Sequence, residues 1–470
     1  MGTTRRALAA IATLVSAGAL AASDETPAPE GPTVVSVPSG HKATRYDSEY
    51  PTIGYAGSAS QNAIARLQER LNRGEVTLKF EPPRGYLDSV LSALGIDPSS
   101  QTLVYSKTSL QFDLIDASTP RAIYFDDDTY IAWIPGTKFL EIATMDGALG
   151  PVFYTLSNIS PKEVRVERET SRCLTCHDTW GMTGGGVPKF LFLSTRVDRQ
   201  GESLTGQPGV DTTDQTPISE RWAGWYVTGH LGEQDHLGNV LAEPDADPAR
   251  LDAFRQRNLE SLRDLFDART YMTDKSDVVA LLVFEHQAYV GNLITRANFK
   301  ARTLLAKNGL DASKPHSWDE LPPPLQKQLK PLAEPLVRAL LFVDAARPKG
   351  EIRSGSGFDG WFESKGPKDP AGRSLRDLDL RNRVFRHPLS YLIYSEGFNG
   401  LPPTIKNHIY TRIADVLAGR DTSPSFAHIS ADERRTVREI LAATKPDFPV
   451  EQPIASASTS TFTSTNGTMP

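Results

Sequence analysis

Cysteine is almost absent, with two residues in a chain of 470. A globular protein of that length needs no disulfide framework, so the pair is there for chemistry rather than for stability. An excess of one charge is also missing. The 51 Lys and Arg stand against 57 Asp and Glu, for a formal net charge of −6. These charges are spread without long runs of one sign, which excludes the clustered basic face that nucleic acid requires. Long apolar runs are lacking too. Beyond the N-terminal segment none reads as a membrane span, and the run from Ala7 to Ala22 falls short of the roughly 20 residues a span needs. No internal repeat is visible.

In place of these, the chain opens with Arg5 and Arg6 ahead of small and apolar residues that end in an Ala-rich stretch before Asp24. That layout predicts a secretory signal peptide over 1–23 and a periplasmic or secreted protein. Residues 24–60 are rich in Pro, Gly and Ser and read as a linker or surface arm. Residues 61–345 read as a sheet plus a core that binds a cofactor, 346–450 as a helical C-terminal part, and 451–470 as a disordered Ser/Thr tail. The content that remains, 39% hydrophobic, is enough for a real core.

The predicted elements define an α+β protein, an antiparallel sheet region followed by a mainly helical part. Helical spacing marks Asn62–Arg73 and Tyr86–Leu94. Residues 102–157 are dense in aromatic and β-branched residues cut by turns, which predicts an antiparallel meander. Pro161 to His177 reads as a helix opened by proline, with "KFLFLSTRVD" and "ERWAGWYVTGH" strand-like beyond it. Further helices are expected over 249–267, over 276–307 with Ser276 as cap, in the segment that begins "DELPPPLQKQLK", and near 388–396, 403–418 and 430–443.

Both cysteines stand in "ETSRCLTCHDTWGMTGGGV", residues 169–187. On a helix, positions i, i+3 and i+4 share a face, so Cys173, Cys176 and His177 project toward one ligand. Covalent haem attachment requires this arrangement. Two thiols add across the two porphyrin vinyl groups, and the imidazole beside them reaches the iron. The competing readings are a CxxC redox pair and a zinc site. The first leaves His177 without a role, and the second requires a distant fourth ligand.

The segment "CLTCH" resembles the attachment motif of c-type cytochromes. The resemblance implies one covalent haem c, with Cys173 and Cys176 as anchors and His177 as axial ligand. It covers only this segment, and the chain is not a minimal cytochrome c domain. Together, "SKTSLQ", "PRAIYF", "ERWAGWYVTG", "FEHQ…NLITRANF" and "SLRDLDLRNRVFRHPLSYLIYSE" make the whole chain similar to large exported bacterial monohaem proteins without an established activity. Electron transfer with an unidentified redox partner protein is the leading expectation. A haem peroxidase or oxygenase with an open distal position is the alternative, and a haem-based sensor or structural element is a third class.

The sixth iron position decides between them. His286, on the apolar helix over 276–307, and His236, in a Gly-containing loop, are the candidate metal ligands beside His177. His230 and Met272 are further candidates, and Met182 lies too near His177 in sequence to round the porphyrin edge. Arg221, Trp222, Trp225 and Tyr226 are candidate donors to haem propionates. "FDDDTY" reads as a solvated hairpin turn that lacks the spaced oxygen ligands of a calcium loop. The glycines of "GMTGGGV" are expected to let backbone approach the haem edge.

Overall fold

Six strands pair in sequence order as one antiparallel meander: β1 (Thr102–Val104), β2 (Arg121–Phe125), β3 (Thr129–Trp133), β4 (Phe139–Asp146), β5 (Gly150–Ser157) and β6 (Val166–Glu169). The computed structural model describes residues 47–161, 164–206, 209–255 and 258–449. The expected signal segment, the start of the arm and the Ser/Thr tail lie outside the described residues. The observed class is α+β, as the element pattern predicts.

Alternation along the strands divides their side chains between two cores. Leu103, Tyr124, Ile131, Trp133, Ile142 and Tyr154 face one side, where α1 (Ala63–Asn72) and α2 (Leu87–Leu94) cover them through Ile64, Leu87 and Val90. Val104, Ile123, Phe125, Tyr130 and Met145 face the other, toward α5 (Val278–Lys307). Two short helices, α3 (Leu174–His177) and α4 (Trp180–Thr183), and the two-stranded β7 (Leu193–Ser194) and β8 (Val210–Asp211) lie between the sheet and α5 in sequence. After α5 come α6 (Pro323–Leu340), α7 (Phe358–Ser364), α8 (Glu396–Asn399), α9 (Pro403–Leu417) and α10 (Ala431–Thr444).

The long helix α5 is buried almost all round, with Val279, Leu281, Val283 and Val290 fully enclosed. It meets the length and apolar composition of a membrane span, yet 83% of its most apolar stretch is buried inside the fold. A core helix enclosed by protein needs the same composition. Its cap is Asp277, whose carboxylate accepts from the backbone N–H of Val279 and Ala280. Ser276, the expected cap, instead donates to the carbonyl of Tyr226 and ties the helix start to the loop before it. Gly150 shows how closely α5 approaches the sheet. Its φ is +64°, and a Cβ there would fall 2.2 Å from the Thr295 side chain.

Several expected elements differ, among them the helix near 388–396, which is a 3-10 turn at Tyr391–Tyr394 followed by α8. Within 161–177, Val166–Glu169 forms β6 instead of a helix, because pairing its backbone with the open edge of β5 outweighs the local preference of a charged segment with one β-branched residue. Only the last turn, α3, is helical. Residues 249–267 hold a short 3-10 helix, Pro248–Phe254, broken at Arg250 (φ −120°). Of the strand-like stretches around 190 and 225, only Leu193–Ser194 joins a sheet. Residues 47–60 of the expected arm are held down, with Ile53 and Tyr55 buried and the Tyr55 hydroxyl donating to the Pro151 carbonyl at 2.7 Å.

The "FDDDTY" turn is also held in the structure rather than solvated. Asp126 accepts from the N–H of Asp128 and Thr129, an Asx turn. Asp127 takes a bidentate pair from Arg376 at 2.8–2.9 Å, and Gln287 of α5 donates to the Asp126 carbonyl. Burial, and then the charges of Asp126 and Asp127, push the Asp128 carboxyl up to about 8 from an ordinary 3.8. The folded state therefore holds a proton that the unfolded chain releases above pH 4, and stability falls as pH rises from about 4 to 8. Asp128→Asn is expected to flatten that fall, read as urea stability at pH 5 and pH 8. An equal fall in both proteins would contradict the assignment.

Candidate functional site

The motif begins where β6 ends. Cys173 has helical backbone angles (φ −65°, ψ −36°) and starts α3, with the N–H groups of Cys176 and His177 both directed to its carbonyl. The three motif residues therefore stand at i, i+3 and i+4 of one helical turn, as the spacing predicts. Both cysteines are free thiols, Cys173 partly buried and Cys176 exposed. Burial, then the negative charges of Glu169 and Glu141, push the Cys173 thiol up to about 12. A disulfide pair tuned for exchange shows the reverse, a thiol lowered toward neutrality.

His177 is placed by two partners. Its ring packs on Phe153 of β5 with centroids 4.4 Å apart. Its Nδ1 lies 2.7 Å from the carbonyl of Lys189, and the Lys189 N–H returns a bond to the His177 carbonyl at 2.9 Å. A carbonyl only accepts, so Nδ1 carries the hydrogen and the lone pair stands on Nε2. Burial lowers the His177 pKa and favours this neutral form. A carbonyl on one ring nitrogen with the other left to a metal is the usual orientation of a histidine ligand.

The triple glycine makes that contact possible. Gly184, Gly185 and Gly186 have φ values of +77°, +71° and +86°. Left-handed backbone at three successive positions turns the chain back from α4 so that Lys189 returns beside His177. Their role in the structure is thus to close the loop that orients the imidazole. Beyond Lys189, a cleft of about 420 Å³ opens between this loop and the α5 side chains Tyr289, Asn292 and Arg296.

The sheet face beside the motif has an unusual floor. Ala132 stands opposite Ile123 and Glu141, and Ala143 opposite Tyr130 and Phe153, in the two central strands. Both alanines are only partly buried, on a face that elsewhere packs large side chains under α5. Arg121 and Glu141 share this face, and both act electrostatically on His177. The Nε of Arg121 is buried without a hydrogen-bond partner. Two free thiols, an imidazole with its Nδ1 held by a carbonyl, two small partly covered alanines and a guanidinium with an unpartnered Nε fit a covalently held tetrapyrrole with an anionic edge. Cys173, Cys176 and His177 would hold it.

The other candidates fall elsewhere. His286 is buried, with Nδ1 2.9 Å from Asp214 and Nε2 2.7 Å from the Ser390 hydroxyl, so both nitrogens are engaged. It lines a separate cavity of about 140 Å³ with Phe342 and Phe385. Although Asp214, His286 and Ser390 form a relay, the Ser390 side chain is fully buried and also caps the turn at Leu392. His236 is buried beside Trp222, and its Nδ1 accepts the N–H of Gly238. Neither histidine shares a hydrogen bond, ring contact or cavity with the motif among the described residues. His230 is exposed, and Met272 packs in the α1/α2 core. Among the described residues no group of three His, Cys, Asp or Glu is arranged to hold a metal ion.

Arg221, an expected propionate donor, is committed to Glu285 at 2.8 Å and to the carbonyls of Thr216 and Asp214. The Trp225 indole donates to the Leu193 carbonyl, and the Tyr226 hydroxyl to that of Ala117. Arg121 and Glu141, which are not among the expected site residues, carry a signal in the sequence. In "RAIYF" alternation puts Arg121 on the face of Ile123 and Phe125, and in "FLEIATM" it puts Glu141 with Ala143 and Met145, so each was a charge on an inward face. No family model, curated protein or solved structure matches the chain.

Proposed function

We propose that this protein carries one covalent haem c through Cys173, Cys176 and His177 and works as an exported electron-transfer protein. The observation that carries the reading is the motif turn itself: two free thiols and an imidazole on one helical face, with Nδ1–H held by the Lys189 carbonyl and Nε2 available. When bound, the haem supplies a one-electron ferric/ferrous couple. The chain's part is to anchor the ring at two points, fix the imidazole and exclude water with Phe153 and the sheet face. Export, read from the N-terminal sequence, agrees with attachment chemistry made outside the cytoplasm. The redox partner is taken to be another protein.

One observation favours a second reading, a haem enzyme of peroxidase or oxygenase type. Both ring nitrogens of His286, an expected distal ligand, are engaged by Asp214 and Ser390, which favours a distal position open to a small molecule. The resting spectrum separates the two. A low-spin, six-coordinate iron unchanged by peroxide supports transfer, whereas a high-spin iron that reacts with peroxide within seconds overturns the carrier in favour of the enzyme.

A further inference from the structure

Arg121 is the least satisfied buried cation beside the motif. Its side chain is 14% exposed, and its only ion pair among the described residues is a single contact of 3.3 Å to Glu141. A second donor reaches the Thr108 hydroxyl at 3.4 Å, at the long limit of a hydrogen bond, and Nε has no partner. Glu141 is not free to improve the pairing, because its other oxygen already accepts from Ser109 at 2.6 Å. A guanidinium has five N–H donors in a planar fork suited to a bidentate anion. By contrast Arg376, with a side chain 3% exposed, meets Asp127 of the β2–β3 turn with three contacts of 2.8–2.9 Å. A buried cation so poorly paired is costly unless an anion completes it.

The location adds the second half of the argument. Arg121 lies on the sheet face whose central residues, Ala132 and Ala143, are small and incompletely covered. The same face lies within electrostatic reach of His177, and Glu141 also acts on Cys173. Thus the unsatisfied fork stands on a face of small, partly covered residues and within electrostatic reach of the motif turn at once.

We propose that Arg121 is a carboxylate-binding residue, and that the carboxylate it takes is a propionate of the haem held by Cys173, Cys176 and His177. The propionate identity rests on the haem reading above; a free small carboxylate is the other source of the same chemistry. Arg121 acts here as a positioning residue, since it binds the ring's edge and not the iron.

The test uses the exported holoprotein as wild type, Arg121→Gln, Arg121→Lys and Glu141→Gln. Resonance Raman spectra read the propionate bending band. The band is expected to move in Arg121→Gln, to move less in Arg121→Lys, and to keep its position in Glu141→Gln, where the arginine stays. The midpoint potential is expected to fall in Arg121→Gln, because removing a nearby cation favours the ferric form, and to be largely restored in Arg121→Lys. A coloured wild type whose band is the same in both arginine variants overturns the proposal and leaves the haem reading intact. If the wild type is colourless, the haem reading fails, and calorimetric titration with formate decides the rest. Saturable binding lost in Arg121→Gln retains the carboxylate site, and no binding overturns it.

Discussion

Cys173→Ser with Cys176→Ser is expected to remove all covalently held haem. The measurement is haem staining after denaturing electrophoresis of protein exported together with attachment machinery. On the proposed haem reading the wild type is expected to keep its colour and the double variant to lose it. The physical basis is that Cys173 and Cys176 would each hold the haem by one thioether to a porphyrin vinyl, so that without both sulfurs no covalent attachment would be left. Denaturation would remove the axial bond because it depends on the fold, through the Lys189 carbonyl that orients His177. Each single serine variant keeps one thioether and is expected to retain stain at reduced yield. A wild type that stays colourless would sink the reading outright. The high resting pKa of Cys173 adds a kinetic point. A thiol pushed up to about 12 is mostly protonated at neutral pH, so its uncatalysed alkylation in the unloaded protein is slow.

The second large effect concerns stability. Arg221 and Glu285 are both buried, at 2% and 0% exposure, and meet at 2.8 Å. Each Arg221 nitrogen and each Glu285 oxygen has a partner. The Arg221 Nε and second nitrogen donate to the carbonyls of Thr216 and Asp214, and the other Glu285 oxygen accepts from Thr212. Burial by itself raises the Glu285 carboxyl, and Arg221 is the main influence that opposes it. Glu285→Ala leaves a guanidinium in the core without its counter-ion, which costs about 3–5 kcal/mol. It also slackens the loop that carries Asp214, and with it the hydrogen bond to His286. Replacing both partners by apolar residues, Glu285→Leu with Arg221→Met, is expected to recover most of the loss, because no charge is then stranded. Denaturant unfolding checks both variants. A loss below about 1 kcal/mol for Glu285→Ala would place the pair among surface-like ion pairs and contradict the burial argument.

Much of the fold is legible in local pattern because local pattern is what a meander and a long helix require. The run 102–157 carries alternation and turn residues that commit it to neighbouring strands whatever packs on them. The stretch ending at Lys307 holds its apolar residues at every face, a composition stable as a helix only in an enclosed place. Where the elements depart from local pattern, the cause is a distant partner. Val166–Glu169 was drawn into a strand by an open edge on β5, a partner that the sequence window cannot show. At 190 and 225 aromatic side chains that read as strand serve instead to stack across the core, as Phe192 does on Trp225 at 4.4 Å.

The sequence by itself determined the attachment turn, since spacing along one helical turn places Cys173, Cys176 and His177 on a common face without reference to anything distant. It also determined the α+β class through the two periodicities. Only the tertiary structure decided what surrounds that turn. His286 and His236 had the right chemistry for iron, but packing gave their nitrogens to Asp214, Ser390 and Gly238. Arg121, Ala132, Glu141 and Ala143 sit far from the motif in sequence, and the register of four strands brings them beside it. The physical reason is that ligand spacing is a property of one helix, whereas a pocket is a property of which faces are pressed together, and that is settled by the burial of the whole chain.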